Sequence, residues 1–569
     1  MIKRFRTRPS LFHGTITLLV VAGFVLRVWG NQFGLPFLYH EDEGEIVRRA
    51  LRMPIDGPSP GWFQYPTLAV YVQAAFYAVL WVVTRLTGAS ASYGAFADAA
   101  TLDPTSVYTL GRTVTAAFGA ATIAVVGAAG RRFASFNRTG RDLAGIVAAA
   151  LVTVELLQVE HGHYVTADVP MTLAAAGALL GVARLASAPG GGTAREYAVA
   201  GALVGIAASF KYPGALFAVA ILAVAIQRFE WRSGADRISR WRDRRLPVAG
   251  FASVAAFVAG SPYVLLDWRT FVRDLGAEAA HMREGHLGFE LVQNHWAEMF
   301  ANVVESGNVA LLALAVAGAS MAVVRRDVLG RTLVVTLATL ALFAASSNVL
   351  FARYLIPMLP VAALLGAHAI VSISGVLSRR RAGVRPVLVA VALIAVLSLP
   401  AWLVAHRLAL FSAADTRTEA WTWVNTVLRR PGDRIAVEWK SIPRRPVRFD
   451  VAESSAIVYD VAQLRADGIE YVAVTDRLYR RYLRAPDLYP QQAAFYLGLL
   501  TTAEPVASFS PFADDHGRLE LDGAGVPVVR RVRASAPWSA LTRRERSGPV
   551  ILVFRLRPQI DTETHRSDQ

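Results

Sequence analysis

Three consecutive acids, Glu41, Asp42 and Glu43, open the stretch 39-YHEDEGEIVRRAL-51. A carboxylate so placed can take a proton from a hydroxyl nucleophile, a role typically worth about 10²–10⁴-fold in rate. A plainer role is equally open. Asp42 with Glu45 three positions on has the spacing of a capping box that would open a helix over 43–53. That helix is amphipathic, with Arg48, Arg49 and Arg52 on its polar face, and it suits a membrane surface. A second cluster, 160-EHGHYVTADVP-170, holds His161, His163 and Asp168. His-x-His beside an acid could bind a divalent metal, with Asp42, Asp168 and His163 as donors. These residues could also only line a wet interface, and Asp168 could cap the next helix. Arg112, Lys211 and Arg353 are cations in apolar surroundings, and such a set suits a phosphate. Arg353 could instead snorkel to an interface. Lys211 stands out because the chain has only three lysines, at 3, 211 and 440. The segment 267–307 carries His281, Arg283, Glu284, His286 and His295, which at helical spacing could form no more than a solvated face.

The elements that must position these residues are apolar. Of 569 residues, 54% are hydrophobic and 18% charged, against about a quarter charged in soluble domains. Several windows of about 20 residues are almost free of charge, the length of a transmembrane helix. The chain therefore reads as a multi-pass protein of the inner or plasma membrane. Its net charge of +16 does not point to nucleic acid, because the arginines cluster in short stretches between apolar segments. The absence of cysteine excludes disulfides and thiolate chemistry. The first apolar run lacks a small-residue cleavage site and reads as an anchor.

Basic loops remain in the cytoplasm. Placing 3–8, 131–141, 228–245, 325–331 and 379–385 there predicts eleven spans, with the N-terminus inside and the C-terminus outside. They fall at about 12–30, 108–130, 142–159, 169–187, two short spans within 197–227, then 247–266, 308–324, 332–349, 354–374 and 386–406. The break in 197–227 comes at 210-FKYPG-214, so Lys211 should face a cavity, the only place broken backbone is tolerated at depth. The run 64–86 is long enough to cross, but charge parity places it at the outer face or as a re-entrant helix. The chain divides into a membrane module, 1–407, with a first external loop over 31–107, and an external α/β domain, 408–569. Helix signals in the latter lie at 415–428, 460–467 and 477–484, and strand signals at 434–439, 469–474 and 550–556. Neither GxGxxG nor GxxxxGK[ST] occurs, so nothing marks a nucleotide site.

These motifs in this order resemble the bacterial relatives of the protein O-mannosyltransferases and the aminoarabinose transferase of lipid A, within the GT-C superfold. The resemblance rests on 40-HEDEG-44, 62-WFQYPTLAVYV-72, 161-HGHYVTADVPMTL-173 and 353-RYLIPMLP-360, and covers about 1–375. It implies an inverting transfer of a sugar from a polyprenyl phosphate to an extracytoplasmic glycan, lipid or protein. It implies Asp42 as base, assisted by Glu43; Lys211 and Arg353 on the donor phosphate, with Arg112 in reserve; and Asp168, His163, Tyr65 and His286 near the substrate. A divalent metal could take part, and the resemblance specifies no other cofactor. The sequence departs from the family at Glu41, where relatives often have Pro, and at 65-YPT-67, where they carry His or Lys and a second Pro. The alternatives are a transporter or flippase of lipid-linked saccharides, which broken spans also fit, and an inactive GT-C scaffold.

Overall fold

The computed structural model describes residues 11–230, 243–379, 382–428, 433–443, 453–532 and 536–556. The basic stretch 3–8, most of 228–245 and two residues of 379–385 lie outside them. Apolar sequence without water must close its backbone hydrogen bonds internally, and it does so here as helices. Among the described residues, seven helices are long and apolar enough to cross a membrane. The number is eight if His295–Glu305 and Val309–Val324, bent by 115° at a short break, form one span. Each of the eleven expected spans has a helix. Arg138–Thr153, Ala194–Phe210, Ala218–Glu230 and Arg245–Gly260 are only 13 to 17 residues long, however, so eleven remains a count from charge parity. Leu68–Leu86 is among the seven, and its expected place at the membrane face likewise rests on charge.

The interruption at Lys211 is present. Ala194–Phe210 ends there, a 3₁₀ turn over Tyr212–Phe217 carries Pro213 and Gly214, and Ala218–Glu230 resumes. A second 3₁₀ segment, Ala352–Met358, precedes Leu359–Leu377 and contains Arg353. Both irregular segments border the same cavity region.

Helix packing follows small residues. Gly201 and Gly205 on Ala194–Phe210 meet Arg245–Gly260 so closely that a Cβ at either would lie 2.1 Å from a carbonyl oxygen, of Ala249 and Ser253 respectively. Small residues four apart are what let two backbones touch in lipid. Gly205→Leu should therefore lower stability by about 1–3 kcal/mol or more, read as an earlier thermal unfolding transition in detergent. An unchanged transition would refute this contact.

The amphipathic helix, Glu43–Asp56, exists, but its apolar face does not meet lipid. Ile46, Val47, Ala50 and Leu51 are buried in the protein core together with Tyr77 and Phe96. The neighbouring helices Leu68–Leu86 and Tyr93–Leu102 supply that cover, and protein contact replaces the expected membrane contact.

The long helix Arg385–Ser412 leads to the C-terminal α/β domain, which opens with the helix Thr416–Val427. Its strands are β1 (Arg434–Val437), β2 (Glu453–Ala456), β3 (Tyr471–Thr475), β4 (Ala503–Phe509), β5 (Leu519–Leu521), β6 (Pro527–Val529) and β7 (Ile551–Leu556). The main sheet has order β2-β1-β3-β7-β4, with β1 parallel to β2 and β3, and β7 antiparallel to β3 and β4. The interior strand β7 buries Ile551, Leu552, Val553 and Phe554 in succession, as a strand covered on both faces must. The three expected strands are β1, β3 and β7; the shorter or more polar β2, β4, β5 and β6 gave no signal. The domain is fastened to the first loop. Arg417 Nη1 donates to Tyr39 O at 3.2 Å, and the Tyr39 and Thr418 hydroxyls lie 2.7 Å apart.

Candidate functional site

Loop, helix ends and C-terminal domain enclose a charged cavity of about 790 Å³. Asp42, Tyr65, His161, Glu278, His286 and Arg353 are among its walls. Beside it lies a more apolar cavity of about 380 Å³, bordered by Asp168, Met171, Lys211, Leu216 and Met358. Gln64, Tyr65, Glu278 and Tyr354 belong to both walls.

Asp42 stands at the start of Glu43–Asp56, yet its side chain makes no capping bond. The expected capping box is not formed. Glu45 pairs with Arg48 and Arg49 instead, and the Asp42 carboxylate turns to Arg353. A charge-assisted pair outcompetes a neutral amide donor. Lys211 Nζ donates to Asp168 Oδ1 at 2.7 Å, with the rings of Tyr65 and Tyr354 centred 5.3 and 5.5 Å from it. Lys211 and Arg353 therefore approach the shared Tyr65–Tyr354 wall, each held by one acid. Burial pushes the Tyr65 phenol well above its ordinary range, so it is present as a hydrogen-bond donor.

Three expected residues are placed elsewhere. Glu43 and Arg112 form a buried bidentate pair, Nε–Oε1 and Nη2–Oε2 both 2.8 Å. Glu43 also accepts from Val165 N at 2.9 Å, and Arg112 donates to Asn31 O and Phe33 O at 2.8 and 3.0 Å. Both are 0% exposed and neither lines the cavity, so they clamp the first loop rather than meet substrate or phosphate. His163 is buried, its ring nitrogens 2.8 and 3.0 Å from Val159 O and Trp29 O. Its neighbour in the motif, His161, is the one that faces the cavity. Burial pushes His161 down to about 4 and lowers His40 as well. Both rings are thus neutral near pH 7, and each has a buried Nδ1 without a protein partner.

The possible metal set does not assemble. Asp42 holds Arg353, Asp168 holds Lys211, and His163 faces two carbonyls. Among the described residues no three His, Asp or Glu side chains gather as a metal site. A divalent ion does not fit these residues.

Comparison with known proteins bears on the whole arrangement. Residues 106–241 match the family model "Dolichyl-phosphate-mannose-protein mannosyltransferase". The oligosaccharyltransferase of Archaeoglobus fulgidus superposes at a TM-score of 0.53 with 14% identity, over 93% of this chain and 75% of that one. The oligosaccharyltransferase AglB from the same organism, in complex with an inhibitory peptide and a dolichol-phosphate, gives 0.52 and 13%, over 92% and 74%. The chain has the GT-C fold. ArnT from Cupriavidus metallidurans bound to undecaprenyl phosphate is also similar, at 0.49 and 14%, over 84% and 94%. No curated protein matches by sequence.

Within this GT-C fold the cavity holds residues that the sequence did not single out. His40 stacks on Tyr164 with centroids 4.0 Å apart. Glu278 and Tyr354 stand at the seam of the two cavities. Arg407, Arg477, Arg481 and Arg544 also line the charged cavity. Lysines are rare in this chain and drew notice; arginines are its ordinary cation, so no compositional signal marked these four.

Proposed function

We propose that the protein is a membrane glycosyltransferase that moves a sugar, with inversion, from a polyprenyl-phosphate carrier to a hydroxyl acceptor on the extracytoplasmic side. In this reading the N-terminus is cytoplasmic and the C-terminal domain external. The observation that carries it is the shared wall. An apolar cavity ends at Lys211, and a charged cavity holding Asp42 and Arg353 begins across Tyr65 and Tyr354. An isoprenoid tail suits the first and a sugar the second, with the phosphate between Lys211 and Arg353.

The chemistry then runs through this chain's own groups. The acceptor hydroxyl gives its proton to Asp42 while its oxygen bonds to the anomeric carbon. The bond from that carbon to the phosphate oxygen breaks, and its electron pair leaves with the polyprenyl phosphate. Lys211 and Arg353 offset the charge gathering on that leaving group. Without donor, Asp168 and Asp42 neutralise these cations. A bound phosphate would draw Arg353 to itself and leave the Asp42 carboxylate free to act as base. Neutral His40 and His161, with their unpartnered Nδ1 atoms, suit hydrogen bonds to sugar hydroxyls.

Native mass spectrometry of the purified chain with undecaprenyl phosphate tests the donor site. Binding should be saturable, and Lys211→Gln should weaken it about tenfold or more, the worth of a charge-assisted bond. Equal binding by wild type and variant would remove Lys211 from the phosphate site.

A further inference from the structure

The C-terminal domain brings a second group of cations into the charged cavity, and the acids around them are committed elsewhere. Asp415 takes Arg417 through two contacts of 2.8 Å. Glu160 takes Arg407 at 3.2 Å, Asp42 takes Arg353, and Glu41 takes Lys440 at 2.5 Å. Glu278 stands at the seam with the apolar cavity. What remains is Arg477, Arg481 and Arg544. Among the described residues, Arg477 reaches one carboxylate, Glu41, at 3.4 Å and shared with Lys440. Arg544 donates to Gly548 O at 2.7 Å and lies over the Phe512 ring. Among the described residues, neither Arg481 nor Arg544 has a carboxylate within ion-pair distance.

Arg477, Arg481 and Arg544 line one cavity, and their electrostatics favour an anion among them. Burial, followed by Arg407, Arg477 and Arg480 against the opposing pull of Asp476, pushes Arg544 down to about 10. Burial and then the nearby Arg417 lower Arg477, against the smaller opposing pull of Glu41, Asp476 and Asp415. The Arg477 side chain is still 41% exposed, and it lines the cavity. Cations gathered at one cavity wall are stabilised by an anion placed among them, and guanidinium forks match the geometry of phosphate and carboxylate. At about 790 Å³ the cavity falls within the roughly 300–1,000 Å³ of sites that enclose drug-sized ligands, so a donor sugar and part of an acceptor can share it.

We propose that Arg477, Arg481 and Arg544 form an oxyanion subsite that selects an acceptor bearing a phosphate or carboxylate near its reacting hydroxyl. The inference rests on the glycosyl-transfer reading and defines the acceptor's chemical class. On this geometry the membrane module would hold the donor phosphate and the C-terminal domain the acceptor charge.

The test uses the purified full-length protein with its donor site saturated by undecaprenyl phosphate, so that added anions do not report on Lys211 and Arg353. Inorganic phosphate and glucuronate are titrated separately by calorimetry. Wild type should bind at least one of them saturably. Arg477→Gln/Arg481→Gln/Arg544→Gln should raise the dissociation constant at least about tenfold, as expected for losing charge-assisted bonds, and should leave undecaprenyl phosphate binding unchanged. A response to phosphate alone assigns a phosphorylated acceptor, and one to glucuronate alone an acidic sugar; a response to both supports a general oxyanion site. Absence of a saturable response in wild type, or identical titrations of wild type and variant, would overturn the proposal. If the triple variant does not fold, Arg481→Gln gives the same comparison, because among the described residues this side chain has no ion partner to lose. Failure of wild type to bind undecaprenyl phosphate would count against the donor reading and is a separate result.

Discussion

Asp42→Asn should reduce sugar transfer by about 10²–10⁴-fold, the contribution of a positioned general base, with undecaprenyl phosphate still bound. The substitution keeps the shape of the side chain and removes its ability to take a proton. The loss should fall on kcat rather than on KM, because proton transfer is an interaction of the transition state. Asn also removes the charge opposite Arg353. Arg353 is then freer to hold the phosphate, so donor affinity should stay level or rise while transfer fails. That opposition distinguishes a base from a residue that only shapes the loop. The measurement has two steps. Mass spectrometry of envelope glycans, glycolipids and secreted proteins, from cells with wild type or Asp42→Ala at equal expression, identifies the sugar and acceptor that disappear. Purified wild type and Asp42→Asn are then compared on those substrates. Full transfer by Asp42→Asn would remove the base assignment.

How much of this site could be read from the sequence depended on which physical question each residue posed. Lys211 and Arg353 were legible because charge in apolar surroundings has few explanations, and Asp42 because the acid run matched the family motif; the structure brings all three to one double cavity. Tyr65 and His286 also reach its walls. Asp168 was legible as part of the site, although its partner Lys211 could not be named from spacing. His163 was taken in place of His161 because a motif gives separation along the chain, not rotation about it. The turn after Leu156–His161 decides that one ring faces the cavity and the other the carbonyls of Val159 and Trp29. The capping box failed for a related reason. Spacing permits Asp42 to cap, but Arg353, more than 300 positions away in the chain, competes for the same carboxylate. The arginines at 477, 481 and 544 were the least legible, since only the docking of the C-terminal domain brings them to the first loop. That docking rests on contacts such as Arg417–Tyr39 and Lys440–Glu41, which no local pattern announces.

The largest expected effect on stability is at the pair beside Asp42. Glu43→Leu or Arg112→Met alone should destabilise the protein by about 3–5 kcal/mol, because each leaves its partner as an uncompensated buried charge. Removing Glu43 strands Arg112 among the carbonyls of Asn31 and Phe33; removing Arg112 leaves Glu43 with the single amide of Val165. The double variant Glu43→Leu/Arg112→Met removes both charges and fills similar volume. It should recover most of the loss, as replacement of a buried ion pair by packed apolar groups is often neutral. Thermal unfolding of the four proteins in one detergent forms a double-mutant cycle, and the pair should show strong coupling. Additive effects of the single variants would refute the clamp. Activity in the same set separates stability from positioning. Glu43 is the residue after Asp42 and ties the loop to Val165, just beyond His161. If the charged pair sets the place of the Asp42 carboxylate, the double variant will be nearly as stable as wild type and still transfer sugar poorly. If it serves folding alone, stability and transfer will return together.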